Sequence, residues 1–243
     1  MRDTPGDAAR YRVFGDPGQL AEHAAALILA AAREAIAARG VFHLVLAGGE
    51  TPLATYVRLA GVGAGADWQC WQLYFGDERC LPRGDSGRND SQIRHRWLEQ
   101  VAIPAGNIHA IPAELGPERA AARYAETLAG VAAFDLVLLG LGEDGHTASL
   151  FPGRPLGPGT VLPVRDAPKP PSERVTLSAS RLGRTRALLF LIAGAGKRAA
   201  VAAWRGGADL PVGHVAGPDI LVTVLLDVAA APPECGRKGA HQS

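Results

Sequence analysis

The amino-acid sequence predicts an α/β protein with a mostly parallel sheet, helices on both of its faces, and a small additional region of strands and loops. Short runs of leucine or β-branched residues alternate with alanine-rich helical segments along the 243 residues. Glycine-rich turns follow several of these runs, as they do where ligands bind at the carboxyl edge of such a sheet. With 47% hydrophobic residues, the chain can bury one sizeable core. We therefore predict one domain over 1–231 and a disordered tail over 232–243.

The first predicted element is a helix over 18–39. Its alanine-rich sequence carries Glu22, His23, Arg33 and Glu34 at helical spacing. Because the segment is amphipathic and follows a polar leader, we interpret it as neither a signal peptide nor a membrane span.

The later elements follow from the same alternation of sequence patterns. Apolar runs predict strands at 41–47, 71–75, 134–140, 161–164, 173–177, 186–192 and 219–224. Helices are predicted between and after them at 52–60, 91–100, 116–131, 194–205 and 226–231. Proline- and glycine-rich passages at 82–90, 152–159 and 167–173 are predicted to form loops on the ligand side of the sheet.

Composition excludes several classes of partner. The formal net charge of +1 offers no broad basic surface, so we expect no nucleic acid and no membrane surface as partners. Cys70, Cys80 and Cys235 are an odd number of cysteines and lack metal-ligand spacing. We therefore expect neither a disulfide framework nor a zinc site, and a cytoplasmic location in a reducing compartment.

The stretch GLGEDGHTASLFPG, residues 140–153, contains a formal G-x-G-x-x-G directly after an apolar run. A dinucleotide fold would continue into a long crossover helix, but only five residues follow His146 before Pro152 and Gly153. The better interpretation is a tight turn at the end of a buried strand, which aims Asp144 and His146 into a crevice.

Two other glycine turns are candidates for binding a phosphate. In LVLAGGETPLATY, Gly48, Gly49 and Thr51 stand between a strand and a helix start, where free amides and the helix dipole attract anions. The alternative there is a plain βα loop with Thr51 as the helix N-cap. In LFLIAGAGKRAAV, Lys197 opens a helix and can meet a phosphate as a point charge, or else be exposed to solvent. The P-loop pattern fails at Leu191 and Arg198, so ATP is not supported.

A fourth stretch, WQLYFGDERCLP, ends a strand with charged residues. Asp77 and Arg79 are candidates for a carboxylate near the reacting centre and a contact to an anionic group, against the alternative of a solvated charge cluster. Arg88 and Asn89, in the next glycine-rich loop, are predicted to close over the ligand.

These motifs together resemble the 6-phosphogluconolactonase family, within the wider group that includes glucosamine-6-phosphate deaminases. The resemblance runs from Phe14 to Ala230. It rests on LAGGETP, FGDERCLP, GRNDS, NIHAIP, GLGEDGHTASLFPG, SERVTLSASRL and FLIAGAGKRAAV, in the family's order. The run HTASLFPG is the most specific, because the deaminases continue differently after the shared Asp-Gly-His. Glu50 and Leu226 depart from the family pattern, which often has a serine and a tryptophan at those positions.

The resemblance implies a Rossmann-like, glucosamine-6-phosphate isomerase-like fold and hydrolysis of 6-phosphoglucono-1,5-lactone, without metal or cofactor, by a monomer or weak homodimer. A histidine, with an ordinary pKa of about 6.5, is a suitable general base near neutral pH. His146 would deprotonate the attacking water, and Asp144 or Asp77 would orient the imidazole or the water. Phosphate or oxyanion contacts are expected from Gly48, Gly49, Thr51, Arg79, Asn89, Arg174 and Lys197. A deaminase-like isomerase and a non-catalytic sugar-phosphate sensor are the alternatives.

Overall fold

A central parallel sheet organises the molecule. The computed structural model describes residues 9–63, 65–216 and 220–233. Within these ranges the strands are β1 (Arg10–Phe14), β2 (Phe42–Leu46), β3 (Trp71–Phe75), β4 (Asp77–Arg79), β5 (Ile108–His109), β6 (Phe134–Leu139), β7 (Val161–Val164), β8 (Arg174–Leu177), β9 (Thr185–Ile192) and β10 (Leu221–Asp227). The helices are α1 (Pro17–Arg39), α2 (Glu50–Val62), α3 (Asn89–Arg96), α4 (Pro117–Thr127), α5 (Ala179–Leu182), α6 (Arg198–Arg205) and α7 (Pro211–Val215).

Among the described residues, seven strands form the central sheet in the order β1-β10-β9-β6-β2-β3-β5, and every neighbouring pair is parallel. The inner strands are apolar because both of their faces are covered, and all six residues of β6 are buried. A second, antiparallel sheet has the order β4-β8-β7. The predicted α/β class, mostly parallel sheet and small additional strand region are confirmed.

The helix α1 shows why the alanine-rich pattern was informative. Its N-cap Asp16 accepts a hydrogen bond from the amide of Gln19, and Gly40 ends it in the left-handed region at φ 75°. Small residues on one face, including Ala24 and Ala32, are buried and allow the helix to pack closely on the sheet. No helix in the described part of the chain is long and apolar enough to cross a membrane.

The predicted helix at 226–231 is wrong. The preceding strand was placed at 219–224, but β10 runs on to Asp227, and a turn follows it. β10 is paired on both sides, with β1 and β9, so the backbone hydrogen bonds of Leu225 and Leu226 are made in the sheet. The strand β1 was not predicted at all, since its short polar sequence lacks an apolar run.

Several other helices begin or end at residues that differ from the predicted ones. α2 begins at Glu50 with Gly49 as its N-cap, α3 ends at Arg96, and α6 begins only at Arg198 after a 3-10 turn. Thr51 is therefore inside the first turn of α2, and its alternative interpretation as N-cap is wrong. Of the predicted tail at 232–243, residues 234–243 lie outside the described residues.

Candidate active site

The carboxyl ends of β2, β3 and β6 open on a cavity of about 190 Å³. Parallel strands bring their following loops to one edge of the sheet, so turns that are distant in sequence meet there. The predicted site residues that line this cavity are Gly48, Gly49, Asp77, Arg79, Asn89, His146, Arg174 and Lys197. Asp144 stands next to His146 without lining the cavity itself, and Thr51 does not line it.

The turn after β6 holds His146 against Asp144. The Nδ1 atom of His146 lies 2.5 Å from Oδ1 of Asp144, and the His146 amide also donates to this oxygen at 3.2 Å. A carboxylate can only accept, so Nδ1 carries the proton and Nε2 is left as the basic nitrogen. Partial burial tends to raise the pKa of Asp144, but the hydrogen bonds and charge of His146 outweigh it and lower that pKa.

Two glycines make this pairing possible. The Gly142 amide donates to the carbonyl of His146 at 2.7 Å, and a Cβ at position 142 would lie only 1.9 Å from Nδ1 of the imidazole. Gly145 has φ 88°, which side chains rarely adopt. The glycines of the formal G-x-G-x-x-G therefore serve a tight histidine turn.

Asp77 occupies a separate position on the cavity wall. Its Oδ2 accepts a hydrogen bond from Oγ of Ser149 at 2.6 Å, and its Oδ1 accepts one from Nδ2 of Asn89 at 3.2 Å. Of the two carboxylates considered for orienting the imidazole, Asp144 is the one in contact with it.

Arg79 and Asn89 present unsatisfied polar atoms near the cavity. Nη1 of Arg79 donates to the carbonyl of Gly87 at 2.5 Å, whereas its Nε is buried without a hydrogen-bond partner among the described residues. Oδ1 of Asn89 is likewise buried and unpartnered within that part of the chain. The position of this oxygen also explains why residue 48 is a glycine, because a Cβ there would lie 2.0 Å from it. Both residues line the cavity, although these two atoms are themselves buried.

Glu78 is a buried carboxylate whose role was missed in the sequence. It accepts hydrogen bonds from the amides of Arg79, Asn89 and Asp90 at 2.7–2.8 Å, and so caps the N-terminus of α3. Burial raises its pKa to about 7, although these amides act in the opposite direction. The only sequence signal was a charged residue directly after a strand, which does not tell which way the side chain points.

Arg88 does not close over the cavity as predicted. Its side chain is 1% exposed and makes a two-point ion pair with Asp90, both distances being 2.8 Å. It also donates to Glu114 at 3.1 Å and to the carbonyls of Leu81 and Ile111. These contacts occupy the guanidinium in the protein interior, where it fixes the 82–90 loop.

Lys197 lies in a 3-10 turn between β9 and α6. The Gly194 amide donates to both carboxylate oxygens of buried Asp227, at 3.0 and 3.1 Å, which fixes this turn beside β10. Burial and the nearby Lys169 lower the pKa of Lys197, while Glu143 and Asp144 act to raise it. Lys197 is half-buried and lines the cavity, so it is not a fully solvated lysine.

Arg174 is directed toward the 167–173 loop. Its Nε donates to the carbonyl of Pro171 at 3.0 Å and its Nη2 to that of Lys169 at 2.8 Å. Burial lowers its pKa, and the guanidinium also lies 5.7 Å from the centre of the Phe151 ring. Arg174 lines the cavity, but a direct phosphate contact through these nitrogens would have to replace its contacts to the loop.

Within the described ranges, no three His, Cys, Asp or Glu side chains are grouped so that they could hold a metal ion. The arrangement offers a base paired with a carboxylate, another carboxylate that is buried, and cationic side chains that line a small cavity. This set of groups is suited to acid–base chemistry on an anionic ligand.

The chain is similar in sequence and in fold to known proteins. The family model described as glucosamine-6-phosphate isomerases/6-phosphogluconolactonase matches residues 15–223. A 6-phosphogluconolactonase of Streptomyces coelicolor is 38% identical over 252 residues, covering 95% of each chain. The solved 6-phosphogluconolactonase of Thermotoga maritima superposes with a TM-score of 0.82 at 27% identity, covering 90% of this chain and 99% of its own. A monomeric glucosamine-6-phosphate deaminase shares the fold, with a TM-score of 0.80 at 22% identity over 91% of this chain and 98% of its own.

Proposed function

Because the chain belongs to the family of glucosamine-6-phosphate isomerases and 6-phosphogluconolactonases, we infer that it hydrolyses 6-phospho-D-glucono-1,5-lactone to 6-phospho-D-gluconate. This is the second step of the oxidative pentose phosphate pathway. The observation that carries the inference is the match to lactonases over nearly the whole chain, together with the His146–Asp144 pair at a small cavity.

We propose that Nε2 of His146 removes a proton from the attacking water. The water oxygen bonds to C1 of the lactone. The electron pair of the C1 carbonyl bond moves to the carbonyl oxygen, which forms a tetrahedral intermediate. As that carbonyl re-forms, the bond from C1 to the ring oxygen breaks, and the imidazolium gives its proton to this departing oxygen, which becomes the C5 hydroxyl. The products are the carboxylic acid, which ionises at neutral pH, and an open chain.

The two carboxylates have different tasks in this proposal. Asp144 holds the ring with Nδ1 protonated and stabilises the imidazolium, as a carboxylate does in other histidine-dependent hydrolases. Asp77, which is buried on the cavity wall and does not contact the imidazole nitrogens, positions the water. The ionised form of Asp144 is favoured because its pKa is lowered by His146.

Cations and amides form the anion-binding part of the proposed site. Free amides at the N-terminus of α2, after Gly48 and Gly49, face an anion favourably because the helix dipole adds to them. Arg79 and Lys197 supply positive charge on the same cavity wall. Asn89 lines the same cavity and is assigned a polar contact to the substrate. Arg174 adds positive charge from the loop side, and Thr51 stands one residue into the helix.

Asp144→Asn is expected to lower kcat about tenfold while KM changes little, since the amide keeps a hydrogen bond but loses the charge that stabilises the imidazolium. The side chain of Asp144 is 39% exposed, so solvent replaces part of the lost effect. Steady-state kinetics at saturating lactone measures it. A normal kcat in the folded variant would remove Asp144 from the mechanism.

Lactone hydrolysis is expected to continue after exhaustive chelation and to occur without release of ammonia from glucosamine 6-phosphate. His146 and its carboxylate can activate water without a Lewis acid, and the residues after His146 include no second acid to relay protons between C1 and C2 until Asp166. The decisive assay follows freshly generated lactone against its spontaneous opening, with and without chelator. Ammonia release at a comparable rate would favour the deaminase alternative, and binding without turnover would favour the sensor.

The proposal also includes a cytoplasmic location and a monomeric or weakly dimeric state, without nucleic-acid partners. A pathway that acts on soluble sugar phosphates supports the location. Sedimentation over a range of protein concentrations would measure the state.

A further inference from the structure

The turn that carries His146 is fastened on both sides. Oγ1 of Thr147 donates to the carbonyl of Gly140 at 2.8 Å, and Thr147 and Leu150 exchange two backbone hydrogen bonds at 2.9 and 3.3 Å. Between them, Ala148 has φ 48°, a conformation that is uncommon for a residue with a side chain. The turn is therefore tight, and its shape depends on the contacts that hold its far end.

Ser149 makes the contacts at that far end. Its amide donates to Oγ1 of Thr176 in β8 at 3.3 Å, and its hydroxyl donates to Oδ2 of Asp77 in β4 at 2.6 Å. Ser149 is 2% exposed and Asp77 is 7% exposed. Ser149 thus links the histidine turn to two strands of the small antiparallel sheet.

We propose that Ser149 is a positioning residue for hydrolysis, which acts by holding the Asp77 carboxylate in its orientation on the cavity wall. The inference rests on the proposed lactone hydrolysis and on the role of Asp77 in it. With Asn89 on Oδ1 and Ser149 on Oδ2, each carboxylate oxygen has one donor that limits its rotation. A buried carboxylate that loses such a donor is less well oriented.

Ser149→Ala is expected to lower kcat about tenfold and to leave KM within about twofold, since in this proposal Asp77 positions the water and does not bind the substrate phosphate. Ser149→Thr keeps the hydroxyl on the same carbon and is expected to recover most of kcat. Ser178→Ala is the matched control, because this serine is also buried but caps α5 through the Arg181 amide. It should lower the melting temperature without changing kcat.

A double-mutant cycle with Asp77→Asn tests whether Ser149 acts through Asp77. Once the carboxylate is gone, Ser149→Ala should cause little further loss of kcat, so the two losses should be far from additive. Additive losses, or a normal kcat in folded Ser149→Ala, would overturn the inference. If Ser149→Thr fails to fold, the double-mutant cycle still tests whether Ser149 acts through Asp77. Absence of lactone hydrolysis in the unmodified protein would instead refute the proposed function.

Discussion

The variant His146→Asn is expected to fold normally and to lose at least ~100-fold in kcat, the usual contribution of a general base. Asparagine keeps a polar side chain at this position but has no nitrogen that accepts a proton near neutral pH. The His146 side chain is 19% exposed and is held by its own turn, so its replacement should cost little stability. Turnover of freshly generated lactone, corrected for spontaneous opening, is the measurement.

His214→Asn is the matched control for this substitution. His214 also contacts a carboxylate, with Nε2 at 2.6 Å from Oδ1 of Asp209, but it lies in α7 and does not line the cavity. We expect normal kcat for the control. Near-normal kcat in folded His146→Asn would show that another group activates the water.

The second large effect is expected from Lys197→Ala. Loss of a charge-assisted contact should weaken binding of the 6-phosphorylated lactone by about 1.5–3 kcal/mol, or roughly 10- to 150-fold. Binding of unphosphorylated gluconolactone should hardly change. KM and kcat/KM for the two substrates measure this difference. Equal losses on both substrates would point to a folding or catalytic role. The neighbouring Arg198→Ala is the control, because this guanidinium donates to the carbonyl of Ala229 instead.

The lowered pKa of Lys197 provides a second readout of the same contact. Because burial lowers that pKa, the ammonium loses its charge at a lower pH than an ordinary lysine does. Binding of 6-phosphogluconate should therefore weaken as pH rises through the lowered pKa, and Lys197→Arg should bind without this decline because arginine stays charged. Calorimetric titration at neutral and alkaline pH compares the unmodified protein with Lys197→Arg. Identical pH profiles would place the phosphate elsewhere.

Local contacts account for the part of the site that was predictable. Asp144 and His146 are two residues apart in a turn that Gly142 and Gly145 allow to be tight. The pattern alone therefore indicated a histidine held at a strand end. Alternation of apolar runs and alanine-rich segments likewise indicated the parallel sheet, because every buried strand needs two apolar faces. The local pattern was wrong at 226–231, where pairing in the sheet overrode it.

The direction of each charged side chain was not predictable, since it depends on contacts between distant segments. The glycine-rich loop placed Arg88 and Asn89 side by side in sequence, yet Arg88 is turned into the interior by Asp90 and Glu114 while Asn89 faces the cavity. Arg174 is similar, because carbonyls of its neighbouring loop compete for its guanidinium.

The sequence by itself determined the α/β class and the placing of Asp144 and His146 together at a strand end, because periodicity and turn chemistry act over a few residues. The family was indicated by the resemblance of the motifs and not by periodicity. The tertiary structure alone decided that Asp144 rather than Asp77 contacts the imidazole, and that Glu78 caps α3. It also decided that Ser149 meets Asp77 across 72 residues of chain. The physical reason is that a buried polar group must find a hydrogen-bond partner wherever the folded chain brings one within reach, and sheet topology sets that reach.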